Sequence, residues 1–163
     1  MNKAFVNPVI DNTVRELCCR PYYNHKKGCP NYNKRDMCPP KAPLLYEYFN
    51  MTKPIIAIWS VFSLEVHREK MKVNHPKWST RQLDCCLYWQ STLLKNLRKD
   101  VNCYIQQNSR NLFGNHSTLI TTYVPEAMGV NVTATMKIVG VLLEWPPKKR
   151  VMKIAFVGTK NAN

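Results

Sequence analysis

The sequence is poor in glycine, in acid and in long apolar stretches, and each shortage removes a class of function. Only 5 of 163 residues are glycine, too few to assemble a phosphate-cradling P-loop or a dinucleotide fingerprint, and neither motif occurs. Gly-x-Ser-x-Gly and His-Glu-x-x-His are also missing, which sets aside nucleophile-elbow hydrolases and zincin-type proteases. Apolar runs such as Pro54–Ile58 and Val139–Leu143 fall far short of the roughly 20 residues that cross a bilayer, so no membrane association is expected. The first turns of the chain carry Asp11, Arg15 and Glu16 and no extended apolar core. No secretory leader is expected there, and the expected compartment is the cytoplasm. The sequons at Asn50, Asn115 and Asn131 are accordingly read as incidental. Acid is scarce as well: 10 Asp+Glu face 24 Lys+Arg, a formal charge of +14. That excess points to an anionic partner without naming it.

What is present argues for a folded α/β (α+β) protein, with 1–163 as a single domain. Hydrophobic residues make up 45% of the chain, too many for disorder. The expected architecture is a small mixed sheet with one long helix and a Cys-rich N-terminal loop. A turn of strand and a helical turn over Asp11–Leu17 lead into that loop, and Leu44–Phe49 forms a short helix after it. Pro54–Leu64 reads as a buried strand and Glu65–Asn74 as a charged helix ending before Pro76. Ser79 and Gln82 form a capping box that opens the long helix, about Thr80 to Gln107, with Leu83, Leu87, Gln90, Leu94, Leu97, Val101 and Tyr104 on one face. A polar loop at 108–117 precedes a β-rich run, Thr118–Val124. Pro125 starts a partly helical stretch to Ile138. Val141–Trp145 and Val151–Val157 read as two strands joined across Pro146–Arg150.

Residues 18–43 differ in kind, being rich in cysteine, proline and asparagine and nearly devoid of aliphatic side chains. Such a segment has no core to pack, and metal is the economical means of holding it. Seven cysteines, an odd number, in a reducing compartment favour metal or redox chemistry over a disulfide framework. Nine residues separate Cys19 from Cys29 and eight separate Cys29 from Cys38, unlike the close pairs of zinc knuckles and ribbons. Cys29 and Cys38 are each followed by proline, as at the end of the bacterial ferredoxin ligand run. The preferred cofactor is therefore a [4Fe–4S] cluster, with Zn2+ as the alternative. On an unbroken helix at about 100° per residue, Cys86 lies about 60° from the centre of the apolar stripe, nearer than Cys85 or Cys103. The expected ligands are Cys19, Cys29, Cys38 and Cys86; Cys18 and Cys85 stand as replacements for Cys19 and Cys86. Cys103 is read as a small core residue and His25 as a solvated loop histidine.

The run Cys19…Gly28-Cys29-Pro30-Asn31…Cys38-Pro39-Pro40-Lys41-Ala42-Pro43 resembles the start of a family of small, Cys-rich predicted metal-binding proteins of unknown function. The resemblance returns at Pro125-Glu-Ala-Met-Gly-Val-Asn-Val132, at Gly140-Val-Leu-Leu and at Val157-Gly158. It covers residues 18–49 and 124–158, and implies metal binding, with no substrate attached. The chain departs from the family pattern in its widely spaced leading cysteines and in having no cysteine after Cys103.

Cations crowd the same segment. Lys26, Lys27, Lys34, Arg35 and Lys41 are interleaved with Tyr22, Tyr23 and Tyr32, a composition suited to stacking bases and pairing phosphates of RNA or DNA. The same charges offset those of a thiolate-bound cluster. Lys148-Lys149-Arg150 offers an extension of the patch. Glu126 and Asn131 lie on a segment that could line a pocket beside the metal, although Glu126 is first explained as a first-turn carboxylate complementing a helix dipole. Two function classes result. One is an iron–sulfur protein with a structural, redox or nucleic-acid or nucleoside-modification role, and the other is a structural-zinc module that binds nucleic acid without catalysis.

Overall fold

A computed structural model describes residues 1–21, 26–108 and 118–161. Four strands, β1 (Asn2–Val6), β2 (Ile55–Ser63), β3 (Leu119–Thr122) and β4 (Arg150–Thr159), form a sheet in the order β1-β2-β4-β3. Its three pairings are all antiparallel, so the small sheet is not mixed in strand direction. Helices α1 (Leu45–Tyr48), α2 (Leu64–Asn74), α3 (Thr80–Leu83), α4 (Gln90–Asn108) and α5 (Val132–Ile138) surround it, realising the expected α/β class.

The apolar run in β2 exists because the middle of the sheet is covered on both faces. Alternate residues point to opposite sides. Ile56, Ile58, Ala155 and Val157 meet Leu97, Val101 and Tyr104 of α4. Ile55, Ala57, Ile154 and Phe156 meet Leu45 and Phe49, Met128 and Val130, and Val132 and Met136 of α5. Each fully buried Val, Leu, Ile, Phe or Met among them contributes roughly 1.5–3 kcal/mol of transfer free energy. The α4 helix and the Cys-rich segment therefore lie on opposite sides, since Met37 packs against the second of these clusters.

The expected long helix is interrupted. Ser79 and Gln82 do form the capping box, but α3 stops after one turn. A 3-10 turn over Cys86–Tyr88 follows, and α4 restarts at Gln90. Contacts with preceding elements flank the break: Asp84 pairs with Arg68 of α2, Trp89 stacks on Phe62 at 5.1 Å, and Tyr88 stacks on Trp78 at 5.2 Å. The buried stripe becomes Leu93, Leu97, Val101 and Tyr104, with Leu93 replacing Leu94, and Leu87 is 80% exposed.

Val141–Trp145 is not a strand. Its neighbourhood is organised by a side chain: Glu144 Oε2 accepts the amides of Lys148 and Lys149 at 3.1 and 2.9 Å. Two of the sequon asparagines serve the backbone: Asn50 Oδ1 accepts from Thr52 N, and Asn131 caps α5 by accepting from Ala134 N. Among the described residues, no helix is long and apolar enough to cross a membrane.

Candidate metal centre

The chain leaving β1 is laced to the segment before α5. Asn131 donates to Val9 O at 2.8 Å, Asp11 N to Gly129 O at 2.8 Å, and Val9 N to Thr135 Oγ1 at 2.9 Å. Gly129 adopts φ +84° and a Cβ there would stand 2.4 Å from Asn12 Oδ1, so the two segments meet at a position only glycine fills. Beyond this seam, the 3-10 turn Asn12–Cys18 packs on the 3-10 turn Pro125–Met128. Cys18 ends the first turn, and the Cys-rich segment begins on that support.

Backbone hydrogen bonds and one arginine shape the segment in place of an apolar core. Cys29 N donates to Cys18 O at 2.8 Å, Tyr32 N to Cys29 O at 3.1 Å, Asn33 N to Pro39 O at 2.8 Å, and Ala42 N to Cys38 O at 3.0 Å. Arg15 Nη2 donates to Pro40 O at 3.1 Å and to Ala42 O at 2.8 Å. Gly28, at φ +76°, lies against the Cys18–Cys19 backbone; a Cβ there would sit 2.8 Å from Cys18 O. Cys18, Cys29 and Cys38 are half-buried, and Cys19 is exposed.

These bonds bring four thiols from three turns near one another. Burial raises the Cys18 thiol pKa first; Cys29, Cys38, Cys19 and Glu126 then raise it further, in that order. Cys18 is thus coupled more strongly to Cys29 and Cys38 than to its own neighbour Cys19. Cys19 and Tyr32 line the same depression, and interaction with Cys19 is the main cause of a raised Tyr32 pKa. Spacing alone places Cys19 first and Cys18 as its replacement; the turn that carries these two neighbours is what distinguishes them.

The other expected ligand stands elsewhere. Cys86 is exposed on the 3-10 turn before α4, on the segment that packs across the sheet from Met37, and the structure does not bring it to the other three. Its selection assumed an unbroken helix, and the helix breaks between α3 and α4. Cys85 sits beside it, and Cys103 is exposed on α4, accepting from Gln107 Nε2 at 3.3 Å, so it is not core filler. Among the described residues, no three His, Cys, Asp or Glu side chains close on a single metal position.

The five expected cations are all exposed. Lys26, Lys27 and Lys34 line a depression of about 630 Å³ together with Cys18, Cys19 and Cys29. Arg35 and Lys41 lie outside its lining. Among the described residues none of the five forms a salt bridge, whereas Arg20 pairs with Glu16 at 2.9 Å. Tyr22, Tyr23 and His25 lie outside the described residues, as does most of the loop expected at 108–117. Lys148–Arg150 are fastened to Glu144, and Leu64 N donates to Lys149 O, which places that run by α2.

Glu126 stands on the neighbouring 3-10 turn Pro125–Met128. Its turn does put it in the first helical position range, where its own backbone N–H lowers the carboxyl pKa, but desolvation dominates and raises it; Lys153 opposes this last. The residue is nevertheless exposed in the structure. The donor set suits a thiophilic metal, since a bound cation favours the thiolate form of neighbouring cysteines. No protein-family model, no curated protein and no solved structure matches the chain.

Proposed function

We propose that this is a metal-binding protein whose residues 18–43 carry one iron–sulfur cluster, held by Cys18, Cys29 and Cys38. The observation that carries this reading is the backbone bonding that draws three cysteines from three turns together, Cys29 N to Cys18 O at 2.8 Å and Ala42 N to Cys38 O at 3.0 Å, in a segment that buries almost nothing apolar. Cys-Pro at two of them supports iron–sulfur over zinc. When bound, the cluster supplies electron transfer or Lewis acidity. The chain's own part is to orient the sulfurs by the Cys29–Cys18 and Ala42–Cys38 backbone bonds, and to set Lys26, Lys27 and Lys34 around the opening. Those cations offset a negatively charged centre and attract an anionic partner, and RNA or DNA fits their chemistry. With Cys86 remote, three thiolates leave one coordination position for something other than cysteine. That favours a redox or nucleoside-modification role over a closed structural site.

Anaerobic purification with iron and acid-labile sulfide analysis, beside a visible absorption spectrum, tests the reading. Iron and sulfide in similar amounts with a brown chromophore support it. Zinc alone, with salt-sensitive RNA or DNA binding, favours a structural-zinc nucleic-acid-binding module, for which the exposed lysine rim and Tyr32 are the supporting observation.

A further inference from the structure

A second surface, away from the Cys-rich segment, has its own pattern of side chains. The His75 and Trp78 rings stack at 4.0 Å with 8° between their planes, and Tyr88 stacks on Trp78 at 5.2 Å and 20°. The turn between α2 and α3 brings the first two together, since Trp78 N donates to His75 O at 3.0 Å. Tyr88 is held by its neighbour Trp89, which is buried against Phe62. The three rings contact one another while staying open to solvent: His75 is exposed, Trp78 half-buried and Tyr88 54% exposed. Phe62 shares a face of β2 with Ile56 and Ile58, which meet α4. The stack therefore lies on the α4 side of the sheet, across from Met37 and the segment that carries it.

Charge around the stack has one sign. Lys70, Lys72, Lys77 and Arg81 lie between residues 70 and 83 with no acid among them. All four are exposed, and among the described residues none forms a salt bridge. The next acid in sequence, Asp84, is taken by Arg68. The exposed run Lys148–Arg150 lies beside α2, where Lys149 O accepts from Leu64 N at 2.9 Å. Protein interfaces are depleted of lysine, which argues against a protein partner here. A nucleic-acid strand with free bases has the complementary chemistry: its phosphates pair with the cations and its bases stack on the rings. In a duplex those base faces are already covered. We infer that His75, Trp78 and Tyr88, with Lys72, Lys77 and Arg81, form a stacking platform for single-stranded nucleic acid. It is separate from the lysine rim of the Cys-rich segment and independent of any metal.

Labelled oligouridylate and oligothymidylate of about 16 nucleotides are titrated with the full chain, followed by fluorescence anisotropy at several salt concentrations. Wild-type protein is compared with Tyr88→Ala, Tyr88→Phe, Lys77→Ala/Arg81→Ala and Lys26→Ala/Lys27→Ala/Lys34→Ala, with far-UV circular dichroism as the check on folding. Loss of one stacking ring weakens binding by about 5- to 150-fold in Tyr88→Ala, while Tyr88→Phe stays near wild type. Removing two cations in Lys77→Ala/Arg81→Ala lowers the slope of log affinity against log salt by about 1.4. Binding of a duplex of the same length is insensitive to Tyr88→Ala. Wild-type affinity in Tyr88→Ala overturns the platform, as does an equal loss for the duplex. A loss confined to the Lys26, Lys27 and Lys34 variant overturns it too and leaves nucleic acid to the Cys-rich rim. Binding of phosphatidylserine vesicles with no binding of either oligonucleotide gives the surface to a membrane and refutes the inference.

Discussion

Adding one methyl group at Gly28 should damage the Cys-rich segment more than the same change at Gly140, although both glycines have nearly the same backbone conformation. Gly28 has φ +76° and Gly140 φ +78°, so alanine costs about 1–2 kcal/mol at either for its left-handed conformation. The surroundings differ. A Cβ on Gly28 would meet Cys18 O at 2.8 Å and the Cys19 carbonyl carbon at 2.9 Å, whereas at Gly140 nothing lies within 4 Å. The atoms at Gly28 are backbone and cannot rotate away. The Cys29–Cys18 hydrogen bond of 2.8 Å must therefore lengthen, adding about 1–3 kcal/mol of overpacking. Gly28→Ala is expected to lose about 2–5 kcal/mol and Gly140→Ala about 1–2 kcal/mol. Urea unfolding of the reduced, metal-free proteins reads the difference as a midpoint shift at constant slope. The turn that carries Cys18 packs on the body of the fold, so the loss registers globally. Equal midpoints for the two variants would refute the close approach of Gly28 to the Cys18–Cys19 backbone.

Leu97 is fully buried between α4 and the sheet, so Leu97→Ala should destabilise by about 2–5 kcal/mol in the same assay. Arg68→Ala removes the cation from Asp84, whose side chain is 9% accessible. Partial exposure of the arginine screens the pair, so a loss of about 1–3 kcal/mol is expected, below that of a fully buried pair. His67 packs on the Phe62 ring at 5.3 Å, and desolvation lowers its pKa from the ordinary 6.5, against the raising effect of Asp84. The unfolded chain therefore binds the extra proton first as pH falls below 6.5, and the stability His67 contributes above that value is lost as pH drops through its folded pKa. His67→Phe should flatten that part of the stability–pH curve; an unchanged slope would contradict the burial of the ring.

Much of the scaffold was legible because its signals are local. The apolar run of β2, the charged α2 before Pro76, the capping box at Ser79 and the Pro125 start of a helical turn each need only neighbouring residues, and each forms. The interruption between α3 and α4 was not legible, since it is flanked by contacts with Arg68, Phe62 and Trp78, which a helical wheel does not see. Leu93 replaces Leu94 in the buried stripe for the same reason: the wheel was phased through a break. Val141–Trp145 has the composition of a strand, but the Glu144 carboxylate gathers amides that follow it, and the segment stays outside the sheet. At the site, sequence singled out Cys29 and Cys38, which the structure places in electrostatic reach of Cys18. The placement of the turn that ends in Cys18 depends on the seam where Gly129 meets Asn12, and the placement of Cys86 depends on the break between α3 and α4. No spacing rule reveals a contact between residues more than a hundred positions apart.

The central claim is that Cys18 and not Cys86 belongs to the metal centre. Iron and acid-labile sulfide per chain, measured in Cys18→Ser and Cys86→Ser purified anaerobically beside wild type, test it most directly. Wild-type stoichiometry in Cys86→Ser with loss of iron and sulfide in Cys18→Ser is the predicted result. Loss in Cys86→Ser with retention in Cys18→Ser would contradict it.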